Sequence, residues 1–299
     1  MKKILILLLI WTLFGLTGFA EEARRVTPIK QPVKRIVYEY RHLKVPFKPY
    51  ILKLCTPSGI NILRDAPKDH KHHHGLMLGF TVEGGSFWDE QAKRKPGTQK
   101  TTKIGPKKDG RLVSAIDWVK FDGKKVAVEK RSLEQVLLPG VNATVLDWCS
   151  TLACAEGLKK VDITGQHFFG LGMRFVESMD NGGRFFFDEQ HGKSTVVRGD
   201  ERITKARWAA YTAKVDGKPV TVALFDAPGN PIPMHAFTMG DNSKAFAYLA
   251  ATLDLYRRPP LELKADKPLT LRWGVALWDG EVAPKTVEAA YKAWLATLK

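Results

Sequence analysis

Twice in this chain an Asp-Gly pair separates two runs of alternating polar and apolar residues, and this constrains the fold more than any other feature. Leu112 to Phe121 and Lys124 to Ser132 flank Asp122-Gly123; Ala206 to Val215 and Lys218 to Phe225 flank Asp216-Gly217. Asp-Gly in that setting predicts a two-residue type I′ turn, because both central residues need positive φ. Further short runs bounded by turn residues predict strands at Arg35 to Tyr40, Tyr50 to Leu54, Leu76 to Val82, Val141 to Cys149, Lys159 to Ile163, Gly170 to Glu177 and Leu269 to Leu277. Only the end of the chain reads as helix. Pro284 suits a first turn, and Val287, Tyr291, Trp294, Leu295 and Leu298 form an apolar stripe at helical spacing. No repeat or interdomain linker interrupts the pattern. The expectation is an all-β chain, one antiparallel β-sandwich over residues 21–299 with a C-terminal α-helix.

Pairing across the first Asp-Gly turn sorts side chains by face. Asp117, Val119, Phe121, Val126 and Val128 share one face, which reads as core; Ile116, Trp118, Ala127, Glu129 and Arg131 share the other. The second face combines an aromatic, an acid and a guanidinium. It reads either as a binding surface or as an ordinary outer face with one ion pair.

The first twenty residues read as a targeting segment. Met1-Lys2-Lys3 is basic, Ile4 to Leu16 is apolar, and Thr17-Gly18-Phe19-Ala20 ends on a small residue, the order of a secretory signal peptide. The run is shorter than the roughly 20 residues a spanning helix needs, and no later run is long enough, so no membrane span is expected once the signal is removed. The protein is expected to be exported, to a periplasm or the extracellular space. Its formal net charge is +16, with the excess concentrated in Lys93-Arg94-Lys95, Lys100, Lys103 and Lys107-Lys108. That Gly- and Pro-containing stretch reads as a solvated loop. Charge alone would suit anionic glycans, whereas nucleic acid is not an expected partner of an exported chain. Of the three cysteines, Cys149 and Cys154 lie in one extended run. Five residues of strand hold them about 16 Å apart, too far for a disulfide.

Four of the eight histidines fall between positions 70 and 74, in Asp69-His70-Lys71-His72-His73-His74. Neutral imidazole binds transition metals, and its near-neutral pKa suits proton transfer. In extended geometry His70, His72 and His74 would point one way and His73 the other. His70 and His72 could then chelate a divalent metal ion, the one cofactor this block admits. A polar loop whose imidazoles cap backbone groups is the plain alternative. No Walker-type loop, dinucleotide fingerprint, nucleophile elbow or paired Cys-x-x-Cys site is present.

Cys55-Thr56-Pro57-Ser58-Gly59, Arg64-Asp65, the block from Asp69 to Leu76 and Phe87-Trp88 resemble the domain family labelled methane oxygenase PmoA-like. Asp117-Trp118, the Gly170 to Phe175 run, Trp208, the Asp226 to Pro231 run and Trp278-Asp279-Gly280 extend the resemblance over nearly the whole chain. Lys71 stands where that family usually has proline, and His74 where it has a basic residue. The resemblance implies a working site at His70, His72 and His73, with Arg174, Asn230 and His235 near it. It also implies a setting in carbohydrate breakdown and a sandwich similar to the supersandwich folds of sugar mutarotases. It does not imply the membrane subunit of methane monooxygenase, which is built of spanning helices.

The leading functional expectation is a carbohydrate-active enzyme, working by hydrolysis, elimination or epimerisation on a sugar or other small polar ligand. His72 and His73 would be the acid and base, with His70 beside them in the catalytic set and Asp69 orienting an imidazole. Arg64, Glu129 and Arg131 would grip or polarise substrate, and Trp88 or Trp118 would stack on it. A non-catalytic glycan-binding sandwich and a metal-dependent oxygenase are the alternatives.

Overall fold

At Asp216-Gly217 both residues have positive φ, +48° and +82°, and Val215 pairs directly with Lys218, so the type I′ hairpin forms as read. At Asp122-Gly123 only Gly123 is left-handed, at +84°. There the amide of Gly123 donates to the carbonyl of Lys120 at 2.9 Å, and the pairing shifts between Trp118 and Val119. This turn is a longer loop with a bulge instead of a two-residue one.

The protein is described here from a computed structural model, over residues 37–106, 111–240 and 246–298. The expected signal peptide, the first two residues of the expected strand from Arg35 to Tyr40 and Lys107-Lys108 lie outside the described residues. Two eight-stranded sheets and one four-stranded sheet are formed, and every strand ladder is antiparallel. The first large sheet runs, in spatial order, Tyr38–Arg41, Tyr50–Leu54, Leu76–Gly79, Gly170–Arg174, Tyr248–Thr252, His235–Met239, Glu201–Lys205 and Thr195–Arg198. The second runs Arg184–Phe187, Trp208–Val215, Lys218–Asp226, Leu269–Asp279, Thr144–Cys154, Lys125–Gln135, Leu112–Val119 and Thr98–Pro106. The small sheet holds Leu261–Lys264, Lys160–Thr164, Thr81–Val82 and Gly85–Ser86.

One apolar core joins the inner faces of both large sheets. Ile51, Leu76, Leu171 and Leu249 from the first meet Trp118, Leu133, Trp148, Leu224 and Trp273 from the second. The β-sandwich is therefore as expected, and so is the C-terminal helix, Pro284–Leu295. Its stripe of Val287, Tyr291 and Trp294 buries a second cluster against the outer face of the second sheet, on Trp208, Ala210, Phe225 and Ala276. Among the described residues no helix is long and apolar enough to cross a membrane. All three cysteines are free, and Cys149 and Cys154 share one strand.

Two further expectations are corrected. The faces of the first hairpin are reversed except at Val126, which is buried as expected beside the register shift: Ile116, Trp118, Ala127, Glu129 and Arg131 are buried, while Asp117, Val119 and Val128 are half-buried and Phe121 is exposed. Large apolar groups such as Ile116, Trp118 and Leu133 decide which face turns inward, and the acid and guanidinium travel in with them because they satisfy each other. The basic stretch is also not simply a loop. A short 3-10 turn at Ala92–Arg94 leads into the strand Thr98–Pro106 on the edge of the second sheet. Its β-branched residues and the buried Gln99, which donates to the carbonyl of Leu78 at 2.8 Å, outweigh the loop-like composition.

Candidate functional site

The histidine block is the tip of a tied loop. At its neck the amide of Ala66 donates to the carbonyl of His73 at 2.9 Å and that of Gly75 to Arg64 at 3.0 Å. The neighbouring strand Gly170–Arg174 grips both sides: Arg64 donates to the Arg174 carbonyl at 3.0 Å, and Arg174 to the Gly75 carbonyl at 2.8 Å. Pro67 and the residues after it then make two successive turns, with His70 donating back to Pro67 and His73 to His70. The block is therefore not extended, and the alternation expected of its side chains does not occur. Instead the rings of His70, His72 and His73 pack together. His70 stacks on His73 at 4.7 Å, and His72 stands edge-on to His73 at 4.6 Å.

These three rings line a cavity of about 740 Å³. Six consecutive strands of the first sheet frame it. Two are preceded by its loops, the histidine loop and the Gln166 to Phe169 turn, and the others carry Tyr248, Phe237, Glu201 and Arg198. Asp89, Gln91 and Arg94 supply a polar rim after Phe87-Trp88. Opposite the histidine loop, His167 Nε2 lies 2.8 Å from Glu201 Oε2, and Arg198 holds the other oxygen of that carboxylate at 2.5 Å. None of these residues was foreseen. The one legible sign was a polar and aromatic run, Gln166-His167-Phe168-Phe169, held between Gly165 and Gly170.

The four imidazoles of the block have different environments. His70 Nδ1 sits 3.0 Å from Asp69 Oδ2, and the same oxygen accepts from Arg174 Nη2 at 2.9 Å. Partial burial alone would raise the Asp69 carboxyl, but the His70 hydrogen bond and the Arg174 charge hold it below the ordinary value. His73 is buried, its Nδ1 has no partner, and burial together with the neighbouring cationic groups pushes its pKa well below the ordinary 6.5. His72 is lowered too, by burial and then by Lys48. Both are neutral near pH 7.

His74 faces away from the cavity. Its Nδ1 is 2.6 Å from Asp65 and its Nε2 3.0 Å from Glu90. Burial would lower its pKa, but these two carboxylates overcome that and raise it. Beyond Glu90 lies Lys48, buried and 2.5 Å from the carboxylate; beyond Asp65, Tyr50 donates its hydroxyl at 2.9 Å. This buried chain of alternating charge braces the loop from beneath.

His73 and His74 therefore titrate with opposite sign. Below about pH 6.5 the unfolded chain takes up a proton that folded His73 refuses, so stability falls on acidification, by up to about 1.4 kcal/mol per pH unit. The His74 contribution is fully present below about 6.5 and is lost as pH rises through its elevated folded value. Stability should peak between the two limbs. Urea unfolding from about pH 5 to 8 is the measurement. His73→Gln should flatten the acid limb and His74→Gln the alkaline one; an unchanged acid limb in His73→Gln would refute the assignment.

Several expected site residues lie elsewhere. Arg64 pairs with Glu177 at 3.1 Å and Asp180 at 3.5 Å. Trp118, Glu129 and Arg131 form a network inside the sandwich, because a polar cluster at inward-facing positions is closed off by the opposite sheet. Asn230 is a turn brace, bonded to Asp226 at 2.7 Å and to the backbone of Arg272. His235 is buried with Nδ1 against the Pro233 carbonyl and does not line the cavity. Trp88 is fully buried beneath His73, with ring centroids 6.2 Å apart, so no ligand can stack on it. Arg174 stands one layer behind the wall, its guanidinium 3.6 Å from the ring centre of Phe246. Among the described residues no three His, Cys, Asp or Glu side chains are arranged to hold a metal ion, so His70 and His72 find no third ligand.

No curated protein matches the chain. Residues 30–292 match the family model described as Family of unknown function (DUF6807), and the chain belongs to that family.

Proposed function

We propose that this protein is an exported carbohydrate-active enzyme that moves protons at the histidine-lined cavity. The observation that carries the reading is the order Arg174, Asp69, His70. With Nδ1–H donated to a carboxylate that an arginine holds in place, His70 keeps the lone pair on Nε2 as a base. His72, neutral and half-buried beside it, is the second proton-handling group. Phe168, Phe246 and Tyr248 give the cavity apolar surface for the face of a sugar ring, and Asp89, Gln91 and Arg94 give it hydroxyl partners. Of its two lining carboxylates, Glu201 is already engaged by His167 and Arg198. Histidine base chemistry of the elimination or epimerisation kind therefore suits the site better than hydrolysis by two free carboxylates. The resemblance of the loop to PmoA-like domains leans toward the same substrate class.

The test is incubation of the protein with a panel of mono- and oligosaccharides in deuterium oxide, read by NMR and mass spectrometry. The expected result is a new product, or solvent deuterium at a sugar carbon. His70→Gln should lower that rate about 10²–10⁴-fold with the thermal midpoint unchanged. Saccharide binding without change or exchange would leave a glycan-binding protein, and no binding at all would overturn the proposal.

A further inference from the structure

The C-terminal helix covers only part of the outer face of the second sheet. Its cluster rests on the strands Trp208–Val215, Lys218–Asp226 and Leu269–Asp279 and the start of Thr144–Cys154. The remaining strands, Lys125–Gln135, Leu112–Val119 and Thr98–Pro106, contribute nothing to that cluster, and among the described residues no element covers their outer face. Its floor centres on Ala115, with Val113 and Asp117 on the same strand, Ser132 and Val128 diagonally beside it and Thr151 beyond Lys130.

A bulge organises the charge on this face. Lys100 and Lys103 are an odd number of residues apart, so a regular strand would put them on opposite faces. The register shifts between Thr101 and Lys103, so that Lys100 lies opposite Asp117 and Lys103 opposite Ala115, both outward. Lys130 lies opposite Ala115 from the other side. The row Lys103, Ala115, Lys130 thus sets two exposed lysines astride a small residue, two strand spacings or about 10 Å apart. The acids of the face are already matched: Asp117 lies 3.2 Å from Lys125, and Glu134 4.0 Å from Arg111. Among the described residues, Lys100, Lys103 and Lys130 have no carboxylate within ion-pair distance. Lysines commonly guard a sheet edge against pairing, which accounts for Lys100 and Lys103. Lys130 is two strands in from that edge.

We propose that this open face binds an acidic polysaccharide, with Lys100, Lys103 and Lys130 meeting successive carboxylate or sulfate groups of a chain laid across the Ala115 floor. The three strands place no aromatic side chain among these lysines, and the one exposed ring beside them, Phe121 in the turn beyond Val119, is a single ring with Lys95 Nζ 5.3 Å from its centre. With point charges on a flat surface and no row of stacking rings, a polyanionic glycan fits better than a single-stranded nucleic acid. This surface is separate from the histidine cavity and does not depend on its chemistry.

The experiment is retention of the full-length protein on immobilised heparin and polygalacturonate across a salt gradient, with duplex DNA as comparison. Wild type should stay bound beyond about 0.15 M salt. Lys100→Glu, Lys103→Glu and Lys130→Glu together should weaken binding about tenfold or more. A charge-matched control, with Lys264, Lys267 and Lys285 changed to glutamate, should retain most of it. Thermal midpoints establish that both variants fold, and the glutamine versions of the same three positions should show a smaller loss in the same direction. Wild-type elution below that salt, equal losses in the control, or equal lysine-dependent retention on DNA would each overturn the proposal.

Discussion

Truncating Arg131 to alanine should destabilise the protein by about 3–5 kcal/mol, the range for a buried ion pair that loses one partner. Arg131 and Glu129 are both fully enclosed, and the pair closes on itself: Nε reaches Glu129 Oε1 at 2.8 Å and Nη2 reaches Oε2 at 2.9 Å. Nη1 donates to the carbonyl of Pro49 at 3.0 Å, Nη2 also to Gln99 at 3.0 Å, and the guanidinium lies over the Trp148 ring. Trp118 and Ser150 donate to the same carboxylate. Burial alone would lower the arginine's pKa, but the Glu129 charge more than compensates and raises it. Removing the guanidinium strands a carboxylate among neutral donors, with no route to water. The double change Arg131→Met with Glu129→Gln should therefore recover part of the loss, since it removes the uncompensated charge. Urea unfolding measures both. A loss under about 1 kcal/mol for Arg131→Ala, typical of exposed pairs, would show that the site is wet.

Gly75→Ala should cost about 2–5 kcal/mol, from a strained backbone combined with overpacking. Gly75 closes the histidine loop at φ +41°, and a Cβ there would sit 2.0 Å from the carbonyl oxygen of Ile51. That oxygen belongs to the strand Tyr50–Leu54 and cannot swing aside as a flexible side-chain tip would. The neck bonds of the loop meet at this residue, so relief of the clash must displace the loop. Denaturant unfolding gives the energy, and faster amide exchange at His73 relative to the core strands gives the location. Gly123→Ala is the comparison: its φ of +84° is also left-handed, but nothing lies within 4 Å of the added carbon, so only the conformational cost of about 1 kcal/mol remains. Equal losses at the two positions would refute the steric argument.

How much of this was legible in the residues differs by level. The sandwich and the helix were, because strand alternation, Asp-Gly turns and a helical stripe are local signals. The inner face of the first hairpin was misread because alternation gives two faces without saying which is inside. That choice came from the opposite sheet, which offered Arg131 a carbonyl at Pro49 and a phenol at Tyr40. The histidine loop was legible as a candidate site by its density of imidazoles. Its geometry was not, because two consecutive turns replaced the extended run and sent His74 to the back.

By itself, then, the amino-acid sequence determined the β-rich architecture, the terminal helix and the place in the chain where imidazoles collect, all set by contacts between near neighbours. Tertiary structure alone decided which polar groups line the cavity and which became scaffold. Glu129, Arg131, Asn230 and His235 were absorbed into the interior, while Glu201 and Arg198 on distant strands and His167 in a distant turn arrived at the cavity. Whether a charged group faces a ligand or a partner depends on what the other sheet places over it, and local sequence carries no record of that.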